Sequence, residues 1–98
     1  MKRFEIMLEV TTSFTITDTY ALMQLLIDSF EMSGDDDALD ATVFYDLDIY
    51  DKTDDNQCIA KVLVDSSLDQ DALAASVFYQ FEDPRVSNVV FKQILPAF

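Results

Sequence analysis

The sequence has no histidine and no tryptophan, and it has only one cysteine, one glycine and two prolines. Without histidine, the chain lacks the usual general base near neutral pH and the commonest transition-metal ligand. The single cysteine, Cys58, excludes an internal disulfide, and its position in an apolar strand pattern predicts a small buried side chain. The Asp-rich loop at residues 51–56 lacks the central glycine and the terminal glutamate of an EF-hand. We therefore expect a protein that is not an enzyme and that has no cofactor and no metal site.

Basic residues are also scarce, with six Lys and Arg against nineteen Asp and Glu, which gives a net charge of −13. Eleven of the acids lie between Asp28 and Asp55, where Lys52 is the only base. Such a field repels nucleic acid and anionic membranes and attracts basic proteins. An acidic or halophilic proteome is the alternative explanation of the charge. Because no apolar run reads as a signal peptide or a membrane span, we expect a cytoplasmic protein.

Half of the residues are hydrophobic and 12% are aromatic, which argues against disorder and predicts one domain over residues 1–98. Alternating apolar residues predict strands at 4–10, 42–50, 57–65 and 86–95. Helical periodicity predicts helices at 18–32 and 67–82, with Gly34 just beyond the first helix. The order β-α-β-β-α-β predicts an α+β, ferredoxin-like sandwich, in which two helices cover one face of a four-stranded antiparallel sheet.

In this fold the second strand lies at a sheet edge, and its hairpin register pairs Ile49 with Cys58 and sets Asp46 opposite Lys61. Asp46 and Asp48 lie about 6.6 Å apart along that strand, close to the separation of successive phosphates in nucleic acid. Turn formation and edge protection explain about half of the acids, but not the near absence of bases among them. The candidate partner-binding residues are Asp35, Asp36, Asp37, Asp40, Asp46, Asp48, Asp51, Asp54 and Asp55.

The small size, the one-sided acids from Asp28 to Asp55 and the compact α+β pattern resemble small phage-encoded acidic inhibitors that imitate nucleic acid. These include DNA-mimicking anti-CRISPR proteins and inhibitors of restriction enzymes. The resemblance rests on this profile and on no diagnostic motif. It implies an inhibitor in the host-cell cytoplasm whose carboxylates occupy the Lys/Arg channel of a CRISPR effector complex or another basic nucleic-acid-binding protein. It implies no contact with nucleic acid or membrane and no chemistry.

A second hypothesis is a small ferredoxin-like regulatory or interaction subunit, without catalytic activity, that dimerises through the open face of its sheet. Its contact residues would be Met7, Phe44, Ile59 and Leu63, an apolar patch framed by acids. Half-exposed apolar residues of this kind are also common on strands that have no partner. The sequence leaves both a monomer and a homodimer open.

Overall fold

The computed structural model describes residues 1–97, which form six strands and three helices. These are β1 (Lys2–Thr12), α1 (Thr19–Ser29), β2 (Phe30–Gly34), α2 (Asp36–Asp40), β3 (Thr42–Asp54), β4 (Gln57–Ser66), α3 (Gln70–Ser76), β5 (Val77–Phe81) and β6 (Val86–Ala97). One antiparallel sheet has the strand order β3-β4-β1-β6, and β2 and β5 form a separate two-stranded sheet. With 58% strand and 24% helix, the chain is mostly β. The predicted ferredoxin-like α+β sandwich is therefore wrong.

Both predicted helices are too long because each one gives way to a strand. α1 ends at Ser29 and the chain continues as β2, while α3 ends at Ser76 and continues as β5. The apolar residues after Ser76 fit a helical arc, but they also alternate, with Val77 and Phe81 buried and Phe78 exposed. Aromatic and β-branched residues favour strands, and pairing β2 with β5 satisfies the backbone of both segments.

All three helices have an aspartate as the N-cap residue. The Asp18 carboxylate accepts hydrogen bonds from the backbone N–H of Tyr20 at 3.0 Å and of Ala21 at 3.2 Å. Asp69 accepts one from the N–H of Ala72 at 2.8 Å and so caps α3. These contacts satisfy N–H groups that have no partner in the first turn of a helix.

Gly34 ends β2, rather than following a helix as predicted, and its φ of 135° is the only positive φ among residues 1–97. A Cβ added at Gly34 would lie 2.1 Å from the carbonyl oxygen of Ser76. Both the backbone conformation and the close approach to the end of α3 therefore require glycine here.

The core lies between the four-stranded sheet and a layer made of the three helices and the β2–β5 sheet. Its largest fully buried side chains include Ile6 and Leu8 of β1, Leu26 of α1 and Leu73 of α3. Cys58 is fully buried, as predicted, and burial raises the pKa of its thiol to about 11. No helix in the described chain is long and apolar enough to cross a membrane.

The predicted hairpin register is wrong because residues 51–54 extend β3 instead of forming the predicted loop, so that Asp54 pairs with Gln57, and because β3 then contains three irregularities. Ile49 pairs with Ala60 rather than with Cys58, and Asp48 rather than Asp46 lies opposite Lys61. The register shifts fall at Phe44/Asp46, Ile49/Asp51 and Lys52/Asp54, and each shift leaves one extra residue in β3. Such bulges bend a strand and increase its twist, and they are common at sheet edges.

Candidate partner-binding surface

The nine predicted partner-binding aspartates follow the edge of the four-stranded sheet. β3 is an edge strand, as predicted, since only β4 pairs with it. All nine side chains are exposed, and we call this set the acidic edge. It consists of Asp35, Asp36, Asp37 and Asp40 at α2, Asp46, Asp48, Asp51 and Asp54 on β3, and Asp55 in the turn that follows.

The acidic edge runs along the long dimension of the molecule. The thirteen residues of β3 fit only along the longest of the three principal extents, which are 37, 26 and 19 Å. Asp46 and Asp48 are alternate residues of β3 with no irregularity between them, so they lie about 6.6 Å apart, close to the separation of successive phosphates along one nucleic-acid strand. Residues 35–55 hold these nine aspartates and one lysine, so they carry −8 of the net charge of −13.

Four of the nine aspartates also accept hydrogen bonds from nearby backbone N–H groups. Asp35 caps α2 by accepting hydrogen bonds from the N–H groups of Asp37 at 2.9 Å and Ala38 at 3.4 Å. Asp46, Asp48 and Asp54 each accept a hydrogen bond of 2.8 Å from the N–H of the next residue. Carboxylates placed in this way discourage another strand from pairing with β3.

The remaining five aspartates have no such role. Their carboxylates make no hydrogen bond or ion pair within residues 1–97. They are Asp36, Asp37, Asp40, Asp51 and Asp55. Since turn and edge chemistry does not occupy these five groups, they are free to meet a partner.

Asp28 and Glu31 belong to a different acidic group. They line a surface depression together with Glu82, Asp83 and Arg85, near the ends of α1 and β5. The Glu31 side chain raises the pKa of Glu82 through a hydrogen bond and through repulsion between the two carboxylates. Arg85 lies 2.8 Å from the Asp83 carboxylate and lowers the pKa of Asp83 to about 2.

Two bases near β3 lie over tyrosine rings on the open face of the sheet, which no helix covers. The Arg3 guanidinium lies 3.8 Å from the centre of the Tyr45 ring and forms two hydrogen bonds to Asp65, at 2.8 and 3.1 Å. This contact lowers the pKa of Asp65. Lys61 lies 5.9 Å from the centre of the Tyr50 ring. Arg3 is thus engaged by the Tyr45 ring and by Asp65, whereas Lys61 lies over the Tyr50 ring and opposite Asp48 of the acidic edge.

Three of the four residues predicted to form an apolar patch, Met7, Ile59 and Leu63, lie on the open face, whereas Phe44 does not. Met7 is only 8% exposed, and Ile59 and Leu63 are half-buried. Phe44 pairs with the buried Val64 on the covered face, and its ring centre lies 4.7 Å from that of Phe30. The bulge at Tyr45 explains the change, because an extra residue reverses the side to which the preceding residues point.

The acidic edge borders one shallow depression, of about 410 Å³, between α1 and β3. Tyr20 and Met23 contribute to its wall from α1, and Asp48 and Lys52 do so from β3. Within residues 1–97 no group of three or more acidic, histidine or cysteine side chains could hold a metal ion. A charged surface, rather than an enclosed cavity, is thus the main feature of this region.

Comparison with models of protein families, with curated proteins and with solved structures gives no match to this chain.

Proposed function

We propose that this chain is an inhibitor that imitates nucleic acid, and that its acidic edge occupies the basic nucleic-acid-binding surface of another protein. The observation that carries the proposal is the acidic edge itself: nine exposed aspartates along a 37 Å molecule, with one lysine among them. Solubility alone is normally achieved with both signs of charge interspersed. A one-sided row of carboxylates is instead complementary to a row of Lys and Arg.

The mechanism is competition for the same site and involves no reaction. Carboxylates spaced like the phosphates of one strand bind the basic groups that would otherwise hold nucleic acid, and they displace the same counterions. The resemblance to phage-encoded inhibitors makes a CRISPR effector complex or another host defence protein the expected target. Because the attraction acts between exposed charges, the complex weakens steeply as the salt concentration rises.

The test uses the immobilised protein to capture its target from a lysate of the host cell. Elution is compared between added nucleic acid and a salt solution of equal ionic strength. We expect nucleic acid to release the target more efficiently, because it competes for the same surface. The purified target is then titrated with labelled nucleic acid in the presence and absence of this protein. A target whose nucleic-acid affinity does not change would contradict the proposal.

Two triple variants separate the acidic edge from overall charge. Asp40, Asp51 and Asp55 have no structural contact, and changing all three to Lys moves the net charge from −13 to −7, since each reversal adds two charges. The matched control makes the same change in net charge at the separate acidic group. It carries Asp28→Lys, Glu31→Lys and Glu82→Lys.

We expect the acidic-edge variant to lose its target and the control to retain it, with both keeping the circular dichroism spectrum of the parent protein. Equal loss in the two variants would mean that only overall charge matters. Full binding by both would mean that the acidic edge is not the contact surface.

A further inference from the structure

The two edges of the four-stranded sheet differ sharply in character. β3 carries the acidic edge, whereas β6, at the opposite edge, contains no Asp or Glu. β6 has twelve residues, is rich in β-branched and aromatic side chains and, within the described part of the chain, pairs only with β1. A long apolar strand with one unpaired side is a template for pairing with another strand.

Apolar side chains also remain exposed on both sides of β6. Val90 is 40% exposed and Leu95 is 41% exposed on the open face, and Phe91 is 45% exposed on the covered face. Beside Phe91, an apolar cleft of about 290 Å³ separates β6 from β5, and it is bordered by Phe78, which is 57% exposed. Val90 and Leu95 lie beside Glu9 and Glu5 of β1, whereas Phe91 and Phe78 border the apolar cleft.

We propose that two copies of this chain join edge to edge through residues 88–92 of β6, antiparallel across a two-fold axis, to form one continuous eight-stranded sheet. Irregularities in the pairing with β1, at Ser87 and at Lys92, bound this stretch, and beyond it the carbonyl oxygen of Ile94 accepts a hydrogen bond of 3.0 Å from the Gln70 side chain. The inference does not rest on the proposed function, since the acidic edge lies on the other side of the molecule.

The sequence of β6 is compatible with pairing to itself about Val90. In this register Phe91 lies opposite Val89 of the second copy, an aromatic and β-branched pair of the kind that stabilises antiparallel sheets. Lys92, the one charged residue of the strand, lies opposite Asn88 and not opposite its own copy. Neighbouring side chains then cover Phe91 and part of the apolar cleft.

The distribution of charge also favours β6 as the contact between two copies, because each copy carries a net charge of −13 and β6 lies opposite the acidic edge. In the eight-stranded sheet the two β3 strands are the outer edges, seven strand spacings apart, or about 34 Å. This distance is several times the Debye length of about 8 Å at physiological ionic strength, so repulsion between the two acidic edges is screened. Pairing through β3 would bring the same charges together.

Sedimentation velocity over a range of protein concentrations tests the proposal. Val90→Lys places two like charges at the two-fold axis and should raise the dimer dissociation constant about tenfold or more. Val43→Lys is the matched control, because Val43 is the same residue, 53% exposed, on the opposite edge strand. Added salt should strengthen the dimer or leave it unchanged, because only repulsion is screened.

Disulfide trapping gives a second readout that does not depend on affinity. Residues directly opposite in an antiparallel pair have Cα atoms about 4.5–5.5 Å apart, within reach of a disulfide. Val90→Cys should therefore form a covalent dimer under mild oxidation, and Val43→Cys should not, while the buried Cys58 stays unreactive. A parent protein that is monomeric at all concentrations, a dimer insensitive to Val90→Lys, or equal trapping by both cysteine variants would each overturn the proposal.

Discussion

Gly34→Ala tests the requirement for glycine where β2 meets α2. The added Cβ would lie 2.1 Å from the Ser76 carbonyl oxygen, and alanine would have to adopt a φ of 135°. A residue other than glycine in such a conformation costs about 1–3 kcal/mol. Moving the backbone of Ser76 away from an overpacked contact costs about another 1–3 kcal/mol. We expect the free energy of unfolding to fall by about 2–6 kcal/mol.

This loss is large for a chain of 98 residues, whose free energy of unfolding should be about 5–15 kcal/mol. Urea unfolding, followed by circular dichroism because the chain has no tryptophan, measures the change. With an m-value of about 1 kcal/mol/M, the midpoint should fall by about 2 M or more. Ser33→Ala, one residue earlier in β2, is the control and should have little effect.

A Gly34→Ala variant whose midpoint matches that of Ser33→Ala would refute this reasoning. It would mean that the end of the β2–β5 sheet opens easily enough to admit a methyl group. α2 follows Gly34 directly, so such an opening would also displace the four aspartates at α2 from the rest of the acidic edge.

Two further predictions concern side chains with unusual surroundings. Since Glu31 raises the pKa of Glu82, the native state binds protons more readily there than the unfolded state, and this pair reduces stability as the pH rises through the raised pKa. Glu31→Gln should thus return the pKa of Glu82 toward its ordinary value in an NMR titration. It should also raise the urea midpoint at pH 7 but not at pH 3. An unchanged pKa of Glu82 in this variant would contradict the prediction. The Tyr79 hydroxyl is buried and has no hydrogen-bond partner within residues 1–97, and burial raises its pKa to about 12. Tyr79→Phe should leave urea stability unchanged or increase it, and a loss of more than about 1 kcal/mol would reveal a hydrogen bond to that hydroxyl.

The long strands could be predicted because their apolar residues alternate over many positions. The predicted strands at 4–10, 42–50, 57–65 and 86–95 fall within β1, β3, β4 and β6. The sheet formed by β2 and β5 could not be predicted, because the segment after Ser76 satisfies the helical and the strand period equally. Its conformation depends on pairing with a segment more than forty residues earlier, and the local sequence pattern does not indicate that pairing.

The exposure of the acidic edge could also be predicted, but which of its aspartates accept backbone hydrogen bonds could not. Asp46 and Asp48 accept hydrogen bonds from the N–H groups of Leu47 and Ile49, and which N–H groups of an edge strand such carboxylates can reach depends on the register. That register is set by the turn at Asp55 and Asn56 and by bulges at Tyr50 and Thr53, which do not contain the glycine or proline that commonly marks an irregular strand. The bulge at Tyr45 places Phe44 on the covered face and so removes it from the predicted dimer patch.

The contrast between β3 and β6 affects how the molecule approaches a charged object. Residues 35–55 carry −8 of the net charge of −13 and β6 carries no acid, so the negative charge is concentrated on the β3 side and the molecule has a dipole. In the field of a basic surface, this dipole turns the β3 edge forward before any contact forms. Diffusive encounters with such a surface then begin more often with β3 facing it, and association is faster at low salt even when the final contacts are unchanged.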